Sequence, residues 1–122
     1  MSLRIVSLHH EPFEGLGFIE TWLKTKNADW ESVAVYQRAV FPDLDDVDWV
    51  IVMGGSMSVN DEHIYPWLLT EKKFVEAAIA MGKVVLGVCL GSQMIANVLG
   101  SKVYKNKERE IGWFPVDRKS VV

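Results

Sequence analysis

A chain of 122 residues, 49% of them apolar, is long enough for one domain with a modest core and too apolar to be disordered. The formal net charge is -3, and Glu108 and Glu110 dilute the basic residues between Lys102 and Arg109, which argues against nucleic acid or an anionic membrane as a partner. A single cysteine excludes an intrachain disulfide and fits a reducing, cytoplasmic setting, and no apolar run is long enough to be a leader or a bilayer span.

Leu3 to Leu8 is apolar apart from Arg4 and Ser7 and predicts a first strand, buried on both faces. Pro12, Gly15 and Gly17 mark the stretch from His9 to Gly17 as a loop. Phe18, Trp22 and Leu23 recur at helical spacing, which predicts a helix from about Gly17 to Thr25. Ser32 to Tyr36 is a second strand candidate, and Phe41 to Asp48, acidic and holding Pro42, suits a surface connection. Trp49 to Met53 is the clearest strand and ends in the glycine-rich turn Gly54-Gly55-Ser56. After a polar loop from Met57 to Tyr65, Pro66 is well placed to start a helix that Trp67 to Met81 continues and Gly82 closes. Lys83 to Val88 predicts a buried strand, Gly91 to Leu99 a helix closed by Gly100, and Lys102 to Tyr104 and Gly112 to Val116 two further short strands. Strands that alternate with helices, and are themselves nearly continuously apolar, predict an α/β fold: an open, mostly parallel, doubly wound sheet with helices on both faces.

The sharpest feature is the turn at Cys89, between the strand ending at Val88 and the helix that follows. A residue at such a turn is forced into a strained conformation with its side chain exposed, and glycines two positions before and after, Gly87 and Gly91, relieve the crowding. The sulfur stands near the positive end of a helix, which favours the nucleophilic thiolate. The backbone N–H of Leu90 points to where a tetrahedral oxygen would form, and Gly54-Gly55 is the obvious source of a second donor, at the same carboxyl edge of the sheet. A lone cysteine in an apolar run is usually a small buried hydrophobe; the glycines on both sides tip the balance to a nucleophile.

These residues resemble a known family. Gly87-Val88-Cys89-Leu90-Gly91-Ser92-Gln93 is similar to the nucleophile motif of class I (triad-type) glutamine amidotransferases, and Met53-Gly54-Gly55-Ser56-Met57-Ser58-Val59 to their oxyanion loop. His10 to Gly17 resembles the first loop of the stand-alone, GMP-synthase-like members, and Glu110-Ile111-Gly112-Trp113 the segment that helps bound the glutamine pocket. The resemblance implies a flavodoxin-like fold. It also implies that Cys89 attacks the side-chain amide of glutamine to give a γ-glutamyl thioester and ammonia, with Gly55 and Leu90 holding the oxyanion and Gly54 and Gln93 on the substrate side. It calls for no cofactor, and for a synthetase partner that takes the ammonia.

The family completes its triad with a His-x-Glu downstream of the cysteine. Only 33 residues follow Cys89 and none is histidine. His9, His10 and His63 are expected as solvated loop residues, without metal-ligand spacing to Cys89. Residues 1 to 122 therefore read as one amidotransferase-like domain, incomplete at its C-terminus, poorly active alone and prone to self-association through exposed sheet. The competing readings are a γ-glutamyl hydrolase or peptidase on the same scaffold, a non-catalytic interaction module, and a cysteine redox sensor built on a related elbow.

Overall fold

A computed structural model describes residues 2–109 and 111–115. Four strands, β1 (Leu3–His9), β2 (Ala28–Ala34), β3 (Trp49–Val52) and β4 (Val84–Gly87), form one sheet in the order β2-β1-β3-β4. Every neighbouring pair is parallel. Among the described residues three α-helices accompany them: α1 (Phe18–Lys24), α2 (Trp67–Ala80) and α3 (Leu90–Val98).

Strand alternation divides the core in two. Val6, Leu8, Val50 and Val52 point to one face and pack with Leu68, Phe74, Val75 and Ala78 of α2 and Leu90 and Met94 of α3. Ile5, Ile51 and Met53 point to the other, against Leu16 and Leu23 at α1. The sheet is thus covered on both sides, as the sequence predicts, and burial of each such Val or Leu contributes about 1.5–3 kcal/mol. Among the described residues, no helix is long and apolar enough to cross a membrane.

Three expectations need correction. The second strand lies earlier than Ser32–Tyr36: Leu3 to His9 pair in register with Ala28 to Ala34. As an edge strand it carries exposed Asp29 and Glu31, which hid it from an apolar-run criterion. The helix expected from about Gly17 to Thr25 is α1 (Phe18–Lys24), and of its three periodic residues only Leu23 is buried. Phe18 is exposed, and Trp22 lies half out of the core, stacked on Trp49 at 6.2 Å. β4 is not a buried strand: it is the other sheet edge, with Val84 51% and Leu86 47% exposed because α1 does not extend over them. Residues 102–104 and 112–115 are not strands, although the Val103 carbonyl accepts from Asn60 Nδ2 at 2.8 Å; Val116 lies outside the described residues.

Candidate active site

Cys89 joins β4 to α3 with φ 53° and ψ -108°, one of two described non-glycine residues in the positive-φ region. An L side chain resists this conformation by about 1–3 kcal/mol, so the surrounding packing must impose it. The packing is visible at both flanking glycines. A Cβ on Gly87 would come within 2.5 Å of the Gly91 carbonyl carbon, and one on Gly91 would collide with the Val52 carbonyl in the centre of the sheet. Strand, turn and helix therefore approach backbone to backbone, and the cysteine side chain is left exposed at the carboxyl edge. The turn is closed by Gly91 N–H donating to Val88 O (2.9 Å) and Gln93 N–H to Cys89 O (3.1 Å); the Ser92 hydroxyl also donates to Cys89 O, at 2.6 Å.

The loop after β3 lies beside this turn. A Cβ on Gly54 would sit 3.4 Å from Cys89 Cβ, and one on Gly55 would lie 3.1 Å from Leu90 Cδ2 and 2.6 Å from Met57 Sδ. The structure brings Gly54, Gly55, Cys89 and Leu90 together, as the sequence reading requires. Among the described residues, neither the Gly55 N–H nor the Leu90 N–H has a hydrogen-bond acceptor in the protein. Gln93, one turn along α3, lines a cleft of about 360 Å³ with Ser56, Met57, Ser58, Asn60, Val103, Tyr104 and Lys105. Of the segment expected to bound the glutamine pocket, Glu110 lies outside the described residues, and Ile111 and Trp113 are exposed rather than part of that cleft.

The first loop holds what the sequence did not reveal. His63 is exposed as expected, but His9 and His10 are buried. His9 ends β1 and faces the α1 side, where its Nε2 meets Ser7 Oγ at 2.8 Å and Ser7 Oγ meets Ser32 Oγ at 3.1 Å. Burial, and then the charge of His10, lower its pKa. His10 faces the α2 side. Its Nδ1 is 3.0 Å from the Gly54 carbonyl and its Nε2 is 2.6 Å from Glu71 Oε2, with both side chains fully buried. Its ring stacks on Trp67 at 5.7 Å. Burial alone would lower the His10 pKa; the hydrogen bond and charge of Glu71 more than offset it, so the value is raised. Burial raises Glu71 as well, against the opposing effect of His10. The neighbouring Glu11 accepts from Ser56 Oγ at 2.5 Å, a second tie between the first loop and the glycine loop. Position in sequence could not show this: Glu71 comes 61 residues after His10, and only the crossover of α2 over the sheet unites them. Among the described residues no group of His, Cys, Asp and Glu could hold a metal ion.

Comparison with known proteins accords with this geometry. The family model for class I glutamine amidotransferases matches residues 19–117. The glutamine amidotransferase-like protein YfeJ of Salmonella typhimurium is 31% identical over 93% of this chain and 49% of its own length. A second glutamine amidotransferase-like protein, L716 of Acanthamoeba polyphaga mimivirus, is 34% identical over 58% of this chain and 35% of its own. A glutamine amidotransferase from Thermotoga maritima superposes with a TM-score of 0.83 at 31% identity, covering 88% of this chain and 47% of that one. Another, from Methylobacillus flagellatus, gives a TM-score of 0.80 at 28% identity over 92% of this chain and 44% of that one. The chain thus spans about half the length of the curated relatives it matches, or less. On the strength of the match over residues 19–117, the chain belongs to the class I glutamine amidotransferase family.

Proposed function

We propose that this chain is the nucleophile-bearing part of a glutamine amidotransferase domain. Cys89 thiolate attacks the γ-carbonyl carbon of glutamine, a carbon–sulfur bond forms, and the electron pair of the carbonyl moves to oxygen. The N–H groups of Gly55 and Leu90 receive that oxyanion. When it collapses, the carbon–nitrogen bond breaks and ammonia leaves with a proton from a general acid, giving the γ-glutamyl thioester, which water then hydrolyses to glutamate. Gly54 lets backbone approach the substrate and Gln93 contacts it from α3. By family resemblance the acid and base are a His-x-Glu, which residues 1–122 do not contain, and the ammonia passes to a synthetase partner.

The observation that carries this reading is the strained Cys89 backbone, φ 53°, beside the Gly55 and Leu90 N–H groups, neither of which has an acceptor among the described residues. Substrate class is tested by protection. L-Glutamine should slow the alkylation of Cys89 by a diazoketone analogue of glutamine more than a γ-glutamyl dipeptide does; the reverse order would assign a γ-glutamyl hydrolase or peptidase. The absence of a histidine after Cys89 favours a second reading for these 122 residues alone, a non-catalytic amidotransferase-like module. Ammonia release from glutamine by this chain, abolished by Cys89→Ala, would rule that module out.

A further inference from the structure

We infer that His10 is a positioning residue for the oxyanion hole: its Nδ1–H holds the Gly54 carbonyl and thereby turns the Gly55 N–H toward the site in front of Cys89. This rests on the oxyanion role proposed for Gly55. The Gly54 carbonyl and the Gly55 N–H belong to one planar trans peptide, so they point in opposite directions, and fixing one fixes the other. With glycine on both sides, that peptide meets little steric resistance to turning over, and the inverted form would present a carbonyl oxygen to the oxyanion. A selecting contact is therefore needed, and the described structure supplies one at 3.0 Å.

The contact has a defined proton. The Gly54 oxygen can only accept, so Nδ1 must carry the hydrogen. Glu71 secures that arrangement whichever side of its own bond holds the proton. Ionised, it accepts from Nε2–H of an imidazolium; protonated, it donates to Nε2 of the neutral ring. In both cases Nδ1–H remains for Gly54. Trp67 stacked on the ring and the close approach of the Gly55 Cβ position to His10 Cβ (3.1 Å) leave the ring little freedom. A buried carboxyl with one oxygen, Oε1, lacking a partner among the described residues is a costly way merely to fill space, and it is accounted for if the ring's orientation matters.

Side-chain geometry separates this role from simple partnership with Glu71. An Asn at position 10 places its amide nitrogen close to Nδ1 and can still donate to Gly54; a Gln reaches the level of Nε2 and can serve Glu71 but not Gly54. Three variants of the full chain follow: His10→Gln; His10→Asn with Glu71→Leu, so that no carboxyl is buried alone; and His10→Leu with Glu71→Leu, an apolar pair that preserves the fold. Two measurements apply to each. Nuclear magnetic resonance reports the chemical shift and hydrogen exchange of the Gly55 amide. Alkylation of Cys89 is timed with the diazoketone, whose carbonyl needs the oxyanion hole, and with iodoacetamide, which needs only the thiol.

The expected result is an altered Gly55 amide and about a 10²-fold slower diazoketone reaction in the Gln and Leu/Leu variants, with iodoacetamide rates unchanged. The Asn/Leu variant should retain both the wild-type Gly55 amide and the wild-type ratio of rates. Retention by His10→Gln with loss in Asn/Leu would overturn the inference in favour of a purely structural ion pair. A wild-type chain that the diazoketone ignores would count against the amidotransferase reading, and the Gly55 resonance would still decide the orientation of the peptide.

Discussion

At Cys89 the conformation itself makes a prediction. A φ of 53° with ψ of -108° suits glycine and strains any L side chain. Cys89→Gly should therefore raise stability by about 1 kcal/mol or more while removing the reactive thiol, a trade that thermal unfolding and thiol titration would both register. The turn was legible in the sequence because glycines at 87 and 91 announce it. His10 was not legible, since a histidine just after a strand reads as a loop residue until its partner is placed. Glu71→Leu alone leaves His10 without its buried partner and should cost about 3–5 kcal/mol, whereas His10→Leu with Glu71→Leu should fall near wild type in denaturant melts. Proton linkage has a definite sign here. The His10 pKa is raised from 6.5, so its contribution is fully present below pH 6.5 and is lost as pH rises through the folded value. Glu71, also raised, acts in the same direction, and His9, lowered, acts in the opposite one. The unfolding free energy of wild type should hence fall relative to that of the Leu/Leu pair as pH rises above 6.5, by at most about 1.4 kcal/mol per unit for each proton. A wild type that gains stability on the Leu/Leu pair as pH rises would contradict the assignment.

Among the elements, β4 and α3 act as one device: the strand delivers Cys89, the helix carries Leu90 and Gln93, and Gly91 lets the helix seat against Val52. Gly91→Ala should force that seat apart, lower stability by about 1–3 kcal/mol and slow Cys89 alkylation by the glutamine analogue; thermal melts and labelling rates would show both. β3 and α2 were legible because an apolar run and Pro66 mark them. β2 was displaced by several residues because an edge strand needs only one sheltered face, and Trp30 among Asp29, Ser32 and Glu31 gives a weak alternating signal. The strands sought at 102–104 and 112–115 failed for a related reason. Short apolar clusters there have no described strand to pair with, and Val103 packs on the core without joining the sheet.

For the whole molecule, the parallel doubly wound architecture followed from alternating elements and apolar strands, and the structure bears it out. The degree of exposure at β4 did not follow, because a strand's sequence records apolarity and not the number of neighbours it has. Val84, Leu86 and Val88 stand 51%, 47% and 38% exposed on this edge. An unprotected apolar edge pairs readily with a second chain. The 122-residue chain should self-associate in sedimentation experiments, and Leu86→Lys should shift it toward monomer without unfolding it; a monomeric wild type would show that the edge is protected in another way.

Cys89 is the proposed nucleophile for the γ-carbonyl of glutamine. Intact-protein and peptide mass spectrometry after exposure to the diazoketone analogue addresses it directly. One adduct is expected, located on Cys89 and formed more slowly in the presence of L-glutamine. No adduct on Cys89, or one formed at a rate indifferent to glutamine, would contradict it.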